Sequence, residues 1–384
     1  MISTPVMASP VMAAITVLVM ALVSVGFAAP AWAQTDTVGP DVLAGDGPRG
    51  RIISFILQAE PQSPTEVQLR GLIDGVVADI FGETDAFNPD NDEQLATEAT
   101  QILERTRTSF PLVPGADPLL FRVFNMPVLV VPVAAPLPRD EFASSWQDRR
   151  QFPNAASVLT EHQAHTIVFA LVDPAETAQQ VRAAEAVSAV AAGFAAQGDN
   201  TLGVHWGEAD MALPPATLTE AFNRAAVEAE QAQAEDQPIK PAWHRLLTHW
   251  INIRPASAGV FRNAYAQTPA NPVPDTLADN DVGFATKGLE AFIGREIEMV
   301  PSGRPAPEQA LVLVNLLAYL LDRGQVFQDN DTLGFTAERT IAANIVEQGS
   351  LPGMEDTPVL RLTYKVTEDN AGDEAALSEG AVAQ

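Results

Sequence analysis

EHQAHTIVFALVDPAETAQQVRAAEAVSAVAAGFAAQGDNTLGVHWG, residues Glu161 to Gly207, reads as strand, long helix, strand. Thr166 to Val172 is a β-branched and aromatic run too short for a helix. The tetrad Asp173-Pro174-Ala175-Glu176 then predicts a helix start: Asp173 as Ncap, Pro174 at the first helical position, where no amide donor is needed, and Glu176 at N3 against the positive helix end. Val181, Ala184, Val187, Val190, Ala191 and Phe194 share one face at helical spacing, and Gln180, Arg182, Glu185 and Ser188 fall largely elsewhere. Gly198 supplies a left-handed stop after about Gln197. Leu202 to Trp206 is the second strand. The two strands run parallel, either as neighbours or with one strand between them.

Working outward, Ile52 to Leu57 is a strand. Ser63-Pro64-Thr65-Glu66 repeats the same entry grammar before a helical stripe of Leu69, Leu72, Ile73, Val76, Val77, Ile80 and Phe81. Asp92 to Arg107 reads as a surface helix behind the loop Thr84 to Asn91. Leu119 to Asn125 and Val128 to Val133, split by Met126-Pro127, are two strands or one strand bent at an edge, because Pro127 cannot donate to a ladder. Pro136, Pro138 and Asp140 open a helix through Trp146, and Asn154 to Thr160 is a short helix. After Trp206, a helix spans about Thr217 to Glu235. Trp250 to Ile253, Arg295 to Val300 and Pro358 to Lys365 read as strands, and Glu308 to Arg323 is an apolar helix stopped by Gly324. The predicted fold class is α+β (mixed α/β), with sheets and βαβ crossover helices in two packed subdomains, residues 51–236 and 242–366, joined near Gln237 to Pro241.

Lys+Arg 22 against Asp+Glu 49 gives a net charge of -27, which repels phosphate backbones and excludes nucleic acid as a partner. Residues 1–33 carry no charged side chain, hold the apolar run Val11 to Val23 and end in Ala31-Trp32-Ala33, the pattern of a cleaved signal peptide, with an uncleaved membrane anchor as the alternative. The expected location is periplasmic or secreted, with no stable membrane span after signal removal. Residues 34–50 read as a flexible N-terminus and residues 367–384 as a disordered acidic tail. With no cysteine, disulfides, thioether-linked haem and thiolate metal sites are excluded.

Thr286-Lys287-Gly288-Leu289, Phe292, Gly294, Glu296-Ile297-Glu298, Tyr319 to Gly324 and Asp329-Asn330-Asp331-Thr332-Leu333-Gly334 together resemble the bacterial domain of unknown function numbered 4261. His162-Gln163-Ala164-His165 and Val204-His205-Trp206-Gly207 are similar to two further steps of such proteins. The resemblance touches Ile52 to Leu362 and is densest in the C-terminal third. Asn330 departs from it, standing where relatives tend to have glycine, as do the insertion around Asp85 to Gly115 and the leader. The resemblance implies a fold unit and no activity.

His162, His165 and His205 are the residue types of a zinc site, but His165 precedes its strand and His205 nears the end of a parallel one, which separates them by about 15–20 Å. Core or capping roles are the reading for each. His244 and His249 lie about 140° apart around a helix. Asp329 to Gly334 opens like a calcium loop, yet Leu333 offers no oxygen and Thr340 stands where a bidentate glutamate belongs, so a tight turn before a strand is expected. Asp279-Asn280-Asp281 and Asp90-Asn91-Asp92 are consistent with solvated loops. No cofactor and no metal is expected. Glu296 and Glu298 alternate with Ile297 and share one face of a strand; with Asp331 they are the candidate catalytic carboxylates, although an exposed sheet face explains such a pair more often. The functional expectation is an exported, non-catalytic binding or interaction module of the cell envelope, with a protein or small-molecule partner. The alternative is a carboxylate- or metal-dependent hydrolase.

Overall fold

The structure, a computed structural model, describes residues 50–81, 100–101, 103–104, 106–139, 142, 152–172, 176–266, 273–334 and 340–365. The leader, the acidic tail, the loop 84–91, most of the expected helix 92–107, Asp173 to Ala175 and Trp146 lie outside them.

Two six-stranded sheets form the body. The first contains β1 (Gly50–Gln58), β2 (Leu119–Val123), β3 (Met126–Val133), β4 (Ala164–Val172), β5 (Thr201–Trp206) and β6 (Met211–Leu213), in the order β2-β3-β4-β1-β5-β6. β1 pairs antiparallel with both β4 and β5, so those two strands run parallel with one strand between them. The short strand Ile52 to Leu57 is therefore the centre of this sheet. β2 and β3 are separate strands of one hairpin, turned at Phe124 and Asn125 with φ of 50° and 65°, the two left-handed residues that a tight hairpin turn requires.

The helices packed with this sheet are α1 (Glu66–Phe81), α2 (Ala155–Glu161), α3 (Thr177–Ala195) and α4 (Ala216–Ala234). The entry to α1 lies later than Ser63-Pro64 suggests. Thr65 and Gln68 form a reciprocal capping box: the Gln68 amide donates to Thr65 Oγ1 at 3.3 Å and the Thr65 amide to Gln68 Oε1 at 2.9 Å. α3 likewise begins at Thr177 with Glu176 as N-cap, three residues after the expected start, and it ends before Gly198 at φ 105° as expected.

α3 is also buried almost all round, against the expectation of a polar face. Gln180, Glu185 and Ser188 are as inaccessible as Val187 and Phe194, because sheet and helices enclose it from every side. Ser188 Oγ accepts the indole N–H of Trp250 at 2.8 Å, and Arg182 reaches Glu185 at 3.3 Å. Burial drives the Glu185 carboxyl up to about 7, opposed by Arg182. Gly193 lets α1 approach: a Cβ there would lie 3.2 Å from the Ile73 side chain and 3.3 Å from its amide.

The second half adds α5 (Trp243–Trp250), α6 (Ala258–Tyr265), α7 (Glu290–Ile293) and α8 (Ala306–Arg323). Its strands are β7 (Asn252–Ser257), β8 (Val282–Lys287), β9 (Glu296–Met299), β10 (Asp331–Gly334), β11 (Thr340–Val346) and β12 (Val359–Tyr364), in the order β10-β11-β12-β9-β8-β7. Among the described residues only β9 and β12 of this sheet pair in parallel. Trp250 closes a helix rather than opening a strand, because Trp243, Leu246, Leu247 and Trp250 fall on one buried face. The α+β class holds. One apolar core runs from Ile52 and Ile56 through Val187 and Phe194 to Leu317, Ile297 and Leu362. At its centre the rings of Trp206, Trp250 and Phe292 stack in series, with centroids 6.3 and 5.8 Å apart. Among the described residues no helix is long and apolar enough to cross a membrane.

Candidate functional site

β9 does place Glu296 and Glu298 on one face, but that face is buried, with the two residues 5% and 0% exposed. Each carboxylate is fully engaged. Glu296 accepts from Thr286 Oγ1 at 2.7 Å and from the amides of Gly288 at 2.6 Å, Leu289 at 3.1 Å and Glu290 at 3.2 Å. It thereby closes the loop between β8 and α7. Burial raises its carboxyl above the usual range, and those four donors oppose the shift.

Glu298 accepts from Tyr265 Oη at 2.5 Å, from the amides of Ser350 at 2.6 Å and Leu351 at 3.0 Å, and from Arg361 Nη2 at 3.2 Å. Arg361 is its register partner on β12 and stacks over the Tyr265 ring at 4.4 Å. Burial, then the Glu298 charge, raise the Tyr265 hydroxyl well above its usual range. Asp331 does not join these two. It sits on the edge strand β10, three strand spacings or about 14 Å from β9.

Asp329 to Asp331 makes the expected tight turn. Asp331 Oδ2 accepts from the Gln328 amide at 2.8 Å, Asp329 Oδ1 from the Ile345 amide at 3.0 Å, and Asn330 adopts φ 67°. Asn is the commonest substitute for glycine in that conformation, which accounts for the departure at this position. His162 accepts from the Leu137 amide at 2.7 Å, and His165 Nδ1 bonds the Ala135 carbonyl at 2.7 Å. The registers Leu57 to His165 and Phe55 to His205 put those two histidines about 12 Å apart across β1, on one face and nearer than strand length alone suggests. Burial lowers both rings to about 4.

What the fold does bring together is the end of β5 and the end of β8. The turn Gly207 to Asp210 packs on Gly288, whose φ is 103° and where a Cβ would lie 2.6 Å from the Trp250 carbonyl and 3.0 Å from Ala209. Beside this contact opens a cleft of about 180 Å³ whose wall includes Glu208, Arg254, Thr286, Lys287, Glu290 and Glu296. Ala256, Val260, Ala285, Leu351 and Met354 add apolar surface to its lining.

Asp210 holds both cations of the cleft, Lys287 at 3.4 Å and Arg254 at 3.8 Å, and approaches His205 at 3.9 Å. Glu208 turns one carboxyl oxygen back to the Ile53 amide at 2.7 Å; the other is sealed from solvent with no partner among the described residues. Burial pushes this carboxyl up to about 8, so it carries its proton at neutral pH.

Of the candidate carboxylates only Glu296 lines the cleft. Sequence reasoning missed Glu208, Arg254 and Lys287, although Lys287 lies inside one motif and Glu208 directly follows another. Residues 285–362 match a family model described as Domain of unknown function (DUF4261). The Val204 to Gly207 motif lies outside that match, and Ala209, in the turn that follows the motif, packs on Gly288 within it. No curated protein and no solved structure matches the chain.

Proposed function

Taking residues 285–362 as a DUF4261 segment, we propose that the protein is an exported, non-catalytic binding module of the cell envelope. The observation that carries this reading is the engagement of both candidate carboxylates. Glu296 and Glu298 accept donors from backbone and side chains on every side, which leaves neither free to relay a proton or attack a substrate. The cleft offers instead two cations, one neutral carboxyl and an apolar wall, a set suited to holding a ligand. Export is supported by the uncharged apolar leader and its Ala31-Trp32-Ala33 end.

The test has two parts. Intact mass of protein recovered from the periplasm or medium should begin at Gln34, and a recovered chain that keeps Met1 would oppose export by this route. Ester, phosphoester, glycoside and peptide substrates should stay intact with the purified protein while melting shifts identify binders. Turnover that disappears in Glu208→Gln or Glu296→Gln would establish the hydrolase alternative instead.

A further inference from the structure

The cleft beside Gly288 is amphipathic in a particular way. Its polar wall carries Lys287 and Arg254, and the single carboxylate of Asp210 is shared between them at 3.4 and 3.8 Å, which leaves one positive charge over. Two further acids in the wall form no ion pair with either cation among the described residues. Glu296 is closed in by Thr286 and three amides, and Glu290 is solvent-exposed, where water screens it. Glu208, also in the wall, keeps one carboxyl oxygen on the Ile53 amide and the other sealed from solvent.

We propose that this cleft binds the carboxylate of a small organic acid, with its oxygens held by Lys287 and Arg254 and its hydrocarbon against Val260, Ala285, Leu351 and Met354. This rests on the binding-module reading and names its ligand class. The volume of 180 Å³ equals roughly six water molecules, room for an acid of about four to six carbons. Such a group comes from two sources: a free acid, or the C-terminal residue of a peptide whose chain leaves through the open side.

Melting of the full-length protein is followed with sodium valerate, with the neutral isostere valeramide, and with an acetylated Ala-Val dipeptide bearing a free C-terminus. Valerate or the dipeptide should raise the melting temperature in a saturable way, and valeramide should not. A response to valerate alone assigns the free acid, and a response to the dipeptide alone assigns the chain end. Lys287→Met and Arg254→Met should each weaken binding at least tenfold. Both side chains are about two-fifths exposed, so the unliganded melts should stay near that of the parent chain, and Lys287→Gln replaces Lys287→Met if it does not. Equal responses to valerate and valeramide, or no response to either acid, would overturn the proposal. In that case the binding-module reading still stands if other compounds shift the melt without being converted, and falls if they are converted.

Discussion

Glu298→Ala removes the acceptor on which four groups converge, and its cost follows from the geometry. Arg361 is 14% exposed and finds its charge partner in Glu298 at 3.2 Å; without it, a nearly buried guanidinium is left facing Ser350 Oγ and the Tyr265 ring. Breaking a buried pair from one side costs about 3–5 kcal/mol. The Ser350 and Leu351 amides and the Tyr265 hydroxyl lose their acceptor at the same time, so the expected loss lies at the upper end of that range. Urea unfolding followed by tryptophan fluorescence at constant m-value measures it. The double variant Glu298→Met, Arg361→Met should recover part of the loss, because it removes the stranded charge, but the two amides remain unmatched. A single-variant loss below about 1 kcal/mol would refute the claim that this carboxylate is part of the framework.

Glu208 and Glu185 are raised by burial to about 8 and about 7, so the fold binds protons that the unfolded chain releases, and stability declines as pH rises from 4.5 through those values. His165, His205 and His249 are lowered to about 4, so stability also declines as pH falls from 6.5 toward 4. The urea midpoint should therefore peak near pH 6.5, and Glu208→Gln should remove about 2 kcal/mol of the loss between pH 6.5 and 8; a wild-type midpoint still rising over that interval contradicts it. Gly288→Ala adds a strained φ and a contact with the Trp250 carbonyl, and it should cost on the order of 2–4 kcal/mol in the same assay, where an unchanged midpoint would mean that the turn is not packed as described. Millimolar calcium should leave the melting temperature unchanged, since amides already occupy oxygens of Asp329 and Asp331; a rise of several degrees that is lost in Asp329→Ala, Asp331→Ala would say otherwise.

Strong local signals in the chain survived the fold. The run Ala164–Val172, the helix before Gly198 and the apolar helix before Gly324 were legible because β-branched runs, helical stripes and left-handed glycines act within a few residues. The exact helix starts were not. Asp173 and Ser63 are good caps by type, yet Glu176 and Thr65 stand at the N-caps, and in α1 the choice follows from Gln68, which can bond back only to Thr65. The polar face expected of α3 was lost for a different reason. Ser188 and Glu185 are polar in sequence, but their partners Trp250 and Trp243 come from a helix more than fifty residues away, which no local pattern announces. The candidate site shows both limits together. The alternation of Glu296 and Glu298 was readable, whereas their donors come from residues 265, 286–290, 350–351 and 361, and only the assembled sheet turns two reactive-looking carboxylates into framework.

The most direct measurement is a crystal structure of the protein grown with millimolar brominated valerate, the bromine located by its anomalous signal. The account predicts the acid in the cleft, its carboxylate at Lys287 and Arg254, with Glu296 still on the amides of Gly288 to Glu290. A vacant cleft, or Glu296 swung away from those amides to meet the acid, would contradict it.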